Sequence, residues 1–334
     1  MFTMRRAVLA ACIPLVLAGC AGAPRNRGLS PNVAAAIQPV ELHVGIKQPE
    51  LYADFEHSNM AAGAAACGAV PGIGILLAAA CGGAMGALDS SVNAERAKAA
   101  DETVRPLKDA IVDVKLDQLF NDSITSSLRG VPTLKFSGMK LTKTVDGKAY
   151  EEVFRASTSG AVMFVNVDYH LAKDFASVEV SARGSVYPRS VAARKAAGKS
   201  PELPEQGKGL PLHVNETAYR VDIVYRGALP KPGAAAGGNI DEWKSGNARL
   251  LRAALEDGAR QVSRLLAEDL QRAPDQERPV LGKADGGGGV MGDLLARQDG
   301  AELIRMPTGV LLYKTTLAPG SAQAGSAAGA AMLQ

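Results

Sequence analysis

Alternation of apolar and polar positions marks several strands along this chain. The clearest is Ala161 to Leu171, AVMFVNVDYHL. A turn at Lys173-Asp174 leads to a second run, Ala176 to Tyr187, with Val178, Val180 and Val186 on one side. Period-two spacing of this kind describes a strand with one face buried and one face wet. Leu212 to Tyr225, ending in YRVDIVY, is a third strand beyond a basic, Pro- and Gly-containing connection from Pro188 to Pro211. Three successive strands of this kind predict antiparallel pairing. Weaker alternation predicts short strands at Val40–Val44 and Leu51–Phe55, interrupted by Gln48-Pro49, and a further one within Thr133–Thr144.

Helical periodicity flanks these strands. Asp241 to Leu270 carries Trp243, Leu251, Leu255, Val262, Leu266 and Leu270 near a 3.6-residue repeat, with acids at its start and Pro274 beyond its end. Ser90 to Thr103 reads as helix, and Arg105-Pro106 reads as a fresh helical start. Leu107, Ile111 and Val114 share one face; Leu119, Phe120, Ile124 and Leu128 share another after a shift near Lys115, and Gly130 and Pro132 end the run. Glu302 to Lys314 predicts a small hairpin around Pro307-Thr308-Gly309. The predicted class is α+β: an antiparallel sheet of about three to five strands with helices packed on one face.

One segment fits neither period. Met60 to Leu88 spans 29 residues without a charge, and 18 of them are Ala or Gly. Gly68 and Gly72, and again Gly82 and Gly86, sit one helical turn apart, a spacing that lets helices approach closely in membranes. Pro71 and seven glycines disfavour one straight span, at about 3 and about 1 kcal/mol each. The expectation is a bent hairpin of two short helices. It either touches lipid or self-associates through these glycines, or it is buried as a glycine-rich hairpin.

The N-terminus changes the picture most. Arg5 and Arg6 precede an apolar run from Ala7 to Ala18, too short for a bilayer span of about 20 residues and suited to a secretory leader. The run ends Leu17-Ala18-Gly19-Cys20. This resembles the lipobox of bacterial lipoproteins, in which the cysteine thiol takes a diacylglyceryl group, the leader is cut before it and the new amine is acylated. The resemblance covers only the first twenty or so residues. It implies lipidation at Cys20 and a stable membrane anchor, since two acyl signals already suffice. By analogy with enterobacterial lipoproteins, the resemblance with alanine rather than aspartate at position 21 implies sorting to the outer membrane, with the body facing the periplasm. Predicted boundaries are a leader over 1–19, a tether over 20–32, short strands and the apolar segment over 33–88, an α+β domain over 89–272, an extension with a hairpin over 273–318 and a disordered tail over 319–334.

Composition excludes rather than assigns. With 37 basic and 34 acidic residues and a formal charge of +3, nothing calls for nucleic acid. Once Cys12 leaves with the leader and Cys20 is modified, Cys67 and Cys81 remain, and an exported pair predicts either a disulfide or two buried thiols. Ala193 to Ser200, ARKAAGKS, fits a relaxed nucleotide-loop pattern, but Pro201 and Pro204 follow where a helix would have to start. The histidines His43, His57, His170 and His213 show no metal-ligand spacing. His170 lies two residues from Asp168 on a strand and so shares its face, yet no GxSxG elbow supplies a nucleophile. No catalytic residue, metal or cofactor is expected. The functional expectation is a non-enzymatic envelope lipoprotein serving as an assembly, scaffold or transport-accessory component. The alternatives are a periplasmic hydrolase with a site assembled from distant residues, favoured by a deep polar pocket at His170, and a ligand- or partner-binding module using the exposed sheet face.

Overall fold

The computed structural model describes residues 28–56, 74–203 and 212–318. Its helices are α1 (Pro31–Ala36), α2 (Gly74–Ala110), α3 (Leu116–Arg129), α4 (Gly147–Ala156), α5 (Val191–Ala196) and α6 (Ala236–Gln271). Its strands are β1 (Val40–Ile46), β2 (Tyr52–Ala53), β3 (Phe136–Thr142), β4 (Ala161–Leu171), β5 (Ser177–Pro188), β6 (Tyr219–Ala228), β7 (Gly282–Asp285), β8 (Met291–Gln298), β9 (Ala301–Arg305) and β10 (Leu311–Thr316). Cys20, where lipidation is expected, Cys67, Gly68, Gly72 and the tail from residue 319 lie outside the described residues.

The expected sheet of three to five antiparallel strands is overturned. Ten strands form one mixed sheet, ordered β3-β1-β4-β5-β6-β10-β9-β8-β7, with β2 also pairing with β4. The β4–β5–β6 meander is antiparallel as its alternation implies. Around it, β1 runs parallel to both β3 and β4, and β10 runs parallel to β6. These parallel joins require long crossovers. Helices α2 and α3 fill the one between β1 and β3, and α6 lies in the one between β6 and β10. The Glu302–Lys314 hairpin exists as β9 and β10, and through β10 it extends the main sheet.

Alternation assigns the two faces. Ala161, Met163, Val165, Val167, Tyr169 and Leu171 of β4, and Val178, Val180, Ala182 and Val186 of β5, enter the main core beneath α2, α3 and α6. Helix α3 contributes Leu116, Phe120, Ile124 and Leu128, a stripe at every fourth residue. Phe120 stacks on Tyr169 with ring centroids 4.9 Å apart. Backbone approach is close where α6 crosses the sheet. A Cβ at Gly258 would stand 2.6 Å from a Val180 methyl, and one at Gly184 would stand 2.7 Å from a Leu266 methyl.

Helices do not occupy one face alone. Asp146 caps α4 by accepting from the Ala149 N–H at 2.8 Å, and α4 then packs Tyr150, Val153 and Phe154 against Val162, Phe164 and Tyr187 on the opposite face. Residues 74–110 form a single helix of 37 residues that runs through Pro106, where a fresh helical start was expected, while residues 60–73 of the expected apolar hairpin lie outside the described residues. Cys81, Gly82 and Gly86 lie on that helix. The predicted Asp241–Leu270 helix begins earlier, at Ala236, and is interrupted at Ser245–Ala248. There Gly246, Asn247 and Ala248 take positive φ, a conformation that Gly and Asn tolerate better than most residues. Trp243 therefore belongs to a short first segment, while Leu251 to Leu270 line the second. No helix among the described residues is long and apolar enough to cross a membrane.

Candidate functional site

The polar positions of the same strands meet on the other face, between α4 and the C-terminal strands. Asn166, Asp168 and His170 of β4 share it with Glu179, Ser181 and Arg183 of β5 and with Arg220, Asp222 and Arg226 of β6. Their side chains pair across strands. Asp222 takes Arg183 in a close ion pair and Arg220 at 3.2 Å. A groove of about 590 Å³, lined by Asn166, Asp168, Ser181, Arg183 and Asp222 among others, runs along this face.

At the strand ends lies a separate, larger cleft of about 900 Å³, lined by the residues just after β2, the β4–β5 turn and α2. Asp168 faces the groove, and His170 lines the cleft. The His170 Nδ1 lies 2.8 Å from Asp168 Oδ1, and its Nε2 lies 3.8 Å from Glu179 Oε2. The Tyr52 hydroxyl donates to Asp168 with both oxygens at 2.9 Å, and its ring stacks on His170 at 5.2 Å. Arg226 closes the arrangement: Nε donates to Glu179 at 2.8 Å and Nη1 donates to the Gly286 carbonyl at 3.0 Å. One network thus laces β2, β4, β5 and β6 to the turn between β7 and β8.

The electrostatics of His170 follow from this placement. Burial alone would lower its pKa, but the hydrogen bond to Asp168 and the charges of Asp168, Glu179 and Asp54 outweigh it and raise the pKa above the ordinary histidine value. The shift widens the pH range over which the imidazole carries its proton and makes it a stronger base than a free histidine. Burial and the adjacent Asp168 push the Tyr52 hydroxyl well up, so it stays a hydrogen-bond donor.

A second polar constellation sits toward the β3 edge. Glu41 accepts from Lys140 at 2.9 Å and lies 3.1 Å from His43 Nε2. Burial works to raise its pKa, but hydrogen bonds from Ser157, Lys140 and His43 prevail and hold it at about 2. His43 moves down, chiefly through burial. The two histidines in strands therefore sit in opposite electrostatic settings.

The structure joins Asp168 and His170, as their spacing implies, and adds Tyr52, Glu179 and Arg226, which the sequence did not single out. In the ARKAAGKS stretch, Arg194 is 1% exposed and donates to Glu216 at 2.8 Å. That arginine joins α5 to the turn before β6. His213 accepts from the Asn215 N–H at 3.2 Å, and His57 lies outside the described residues. Among the described residues no group of three or more His, Cys, Asp or Glu could hold a metal ion. The fold and site define a mixed α/β protein with a polar, cleft-bearing sheet face. No protein-family model and no curated protein matches the chain.

Proposed function

We propose that this chain is an envelope lipoprotein held at the outer membrane by acyl chains on Cys20, and that it works by binding rather than by catalysis. In this reading it is an assembly or accessory component that presents its polar sheet face to a periplasmic partner. One observation carries the binding role: the same polar sheet face bears both the groove and the cleft, and within them Arg183 pairs with Asp222 and Arg226 with Glu179 across strands. Cross-strand pairing of this kind patterns the charge of the face, and patterned charge favours specificity in recognition. The anchor rests on Leu17–Cys20, with each buried methylene contributing about 0.8 kcal/mol to membrane attachment.

Photo-cross-linking in intact cells tests the binding role. A photoreactive residue at Arg183, which is exposed on the open face, should give a discrete adduct. The same residue at Glu256, exposed on α6, should give none. Equal adducts from both positions, or none from Arg183 in a folded, membrane-bound protein, would refute the reading.

A further inference from the structure

A separate cavity of about 490 Å³ lies away from the sheet groove, where the C-terminal end of α6 meets β8 and β9. Arg272, at the end of α6, and Arg278, in the connection to β7, both line it. The Arg278 side chain is only 10% exposed, yet its Nε and Nη2 have no hydrogen-bond partner. The Nε of Arg272 is buried and equally unpartnered. Buried guanidinium N–H groups without acceptors are rare in folded proteins.

The neighbouring acids do not relieve them. Glu268 bonds Arg264 through Oε1, and its buried Oε2, itself without a hydrogen-bond partner, stands 3.9 Å from Arg278 Nη2, an ion pair too long for a hydrogen bond. Asp269 accepts the Tyr219 hydroxyl at 3.0 Å. The other cations of the cavity are already matched: Lys283 and Arg305 hold Asp293 at 2.6 and 3.2 Å. Two guanidinium groups thus share one cavity with donors to spare. Burial, and then the charge of Arg272, lower the pKa of Arg278, and an anion placed between the two guanidinium groups would offset their repulsion. Planar guanidinium forks match the paired oxygens of a phosphate.

We infer that this cavity is a binding site for a phosphate oxyanion, held between Arg272 and Arg278 and supplied by the headgroup of an anionic phospholipid. The source follows from where the chain enters. Gly28 lines the same cavity, and a Cβ there would touch Pro274 at 3.0 Å. Cys20 is eight residues upstream, a distance of at most about 28 Å even for a fully extended chain. The choice of lipid over free phosphate rests on the Cys20 anchor proposed above. The phosphate chemistry itself does not.

The test is calorimetric titration of the full-length lipidated protein in a neutral detergent with dihexanoyl phosphatidylglycerol, inorganic phosphate and acetate in turn. Saturable binding of the phosphatidylglycerol is expected. Arg272→Gln or Arg278→Gln should weaken it at least tenfold, and Lys98→Gln, on the exposed side of α2 outside this cavity, should leave it within about threefold. Arg278→Lys, which keeps the charge and loses the fork, should also weaken it and guards against a glutamine variant that fails to fold. Inorganic phosphate binding as tightly as the lipid would overturn the lipid source. Acetate binding as tightly, binding unchanged in the arginine variants, or no binding by folded protein would overturn the site. Fatty-acid labelling of the same preparation reports on the anchor separately. Labelled protein that does not bind defeats only this site, and unlabelled protein that binds through the arginines defeats only the anchor.

Discussion

Replacing His170 by asparagine should destabilise the protein most at mildly acidic pH and least at alkaline pH. Asparagine can still bond Asp168, and the Tyr52 hydroxyl continues to donate to it, so no carboxylate is orphaned. What the variant removes is the positive charge between Asp168 and Glu179. Hydrogen bonds to charged groups contribute about 1.5–3 kcal/mol net, against about 1 for neutral ones. With the His170 side chain 18% exposed, the lower part of that range applies, giving a difference of about 1 kcal/mol. The sign comes from linkage. The folded-state pKa of His170 is raised above the unfolded value, so its contribution is fully present below about 6.5 and fades as pH rises through the folded-state pKa. Trp243 is the only tryptophan, is fully buried and donates to the Phe175 carbonyl at 2.7 Å, so its fluorescence reports unfolding. Urea titrations of wild type and His170→Asn at pH 6 and pH 9 should show the full loss at pH 6 and little at pH 9. An equal loss at both values, or a larger one at pH 9, would refute the charged-histidine account.

Three further outcomes are expected. Gly184→Val should cost about 1–3 kcal/mol by over-packing, because its side chain would enter space held by Leu266 and Met163; an unchanged urea midpoint would show that α6 can yield there. Deleting residues 60–88 should leave the sheet folded by circular dichroism, since Ala100, Val104 and Leu107 keep the buried end of α2, and should reduce self-association of the protein in detergent. An unfolded deletion variant would assign the segment to the core. Non-reducing mass analysis of the mature protein should show a Cys67–Cys81 bridge as a loss of two hydrogens, and two freely alkylated thiols would refute it.

What could be read in advance follows the range of each interaction. The β4–β5 hairpin was legible because alternation and the Lys173-Asp174 turn are local. That turn nearly fixes the register, and the pairing of His170 with Glu179 follows from it. Tyr52 was not legible, because it reaches His170 only through the parallel pairing of β2 with β4, across more than a hundred residues. The same reason hid the extent of the sheet. Strand β7 has four residues, GKAD, with too short a pattern to separate from a spacer, and β10 joins the sheet through a parallel contact with β6 that periodicity does not encode. Helix α2 runs through Pro106, where local propensity implied a new start, because Val104, Leu107 and Ile111 are buried on both sides of it. The α6 interruption left only Gly246-Asn247 as a signal, inside an otherwise regular apolar repeat.

The proposed function rests on the proposed lipid anchor at Cys20, and incorporation of a labelled fatty acid tests it most directly. Wild-type protein and Cys20→Ser would be expressed with the label and separated into membrane and soluble fractions. The account predicts that wild type carries the label and sediments with outer membranes, whereas Cys20→Ser carries none and retains its leader. A labelled Cys20→Ser variant, or a wild type processed to an unlabelled soluble form, would contradict it.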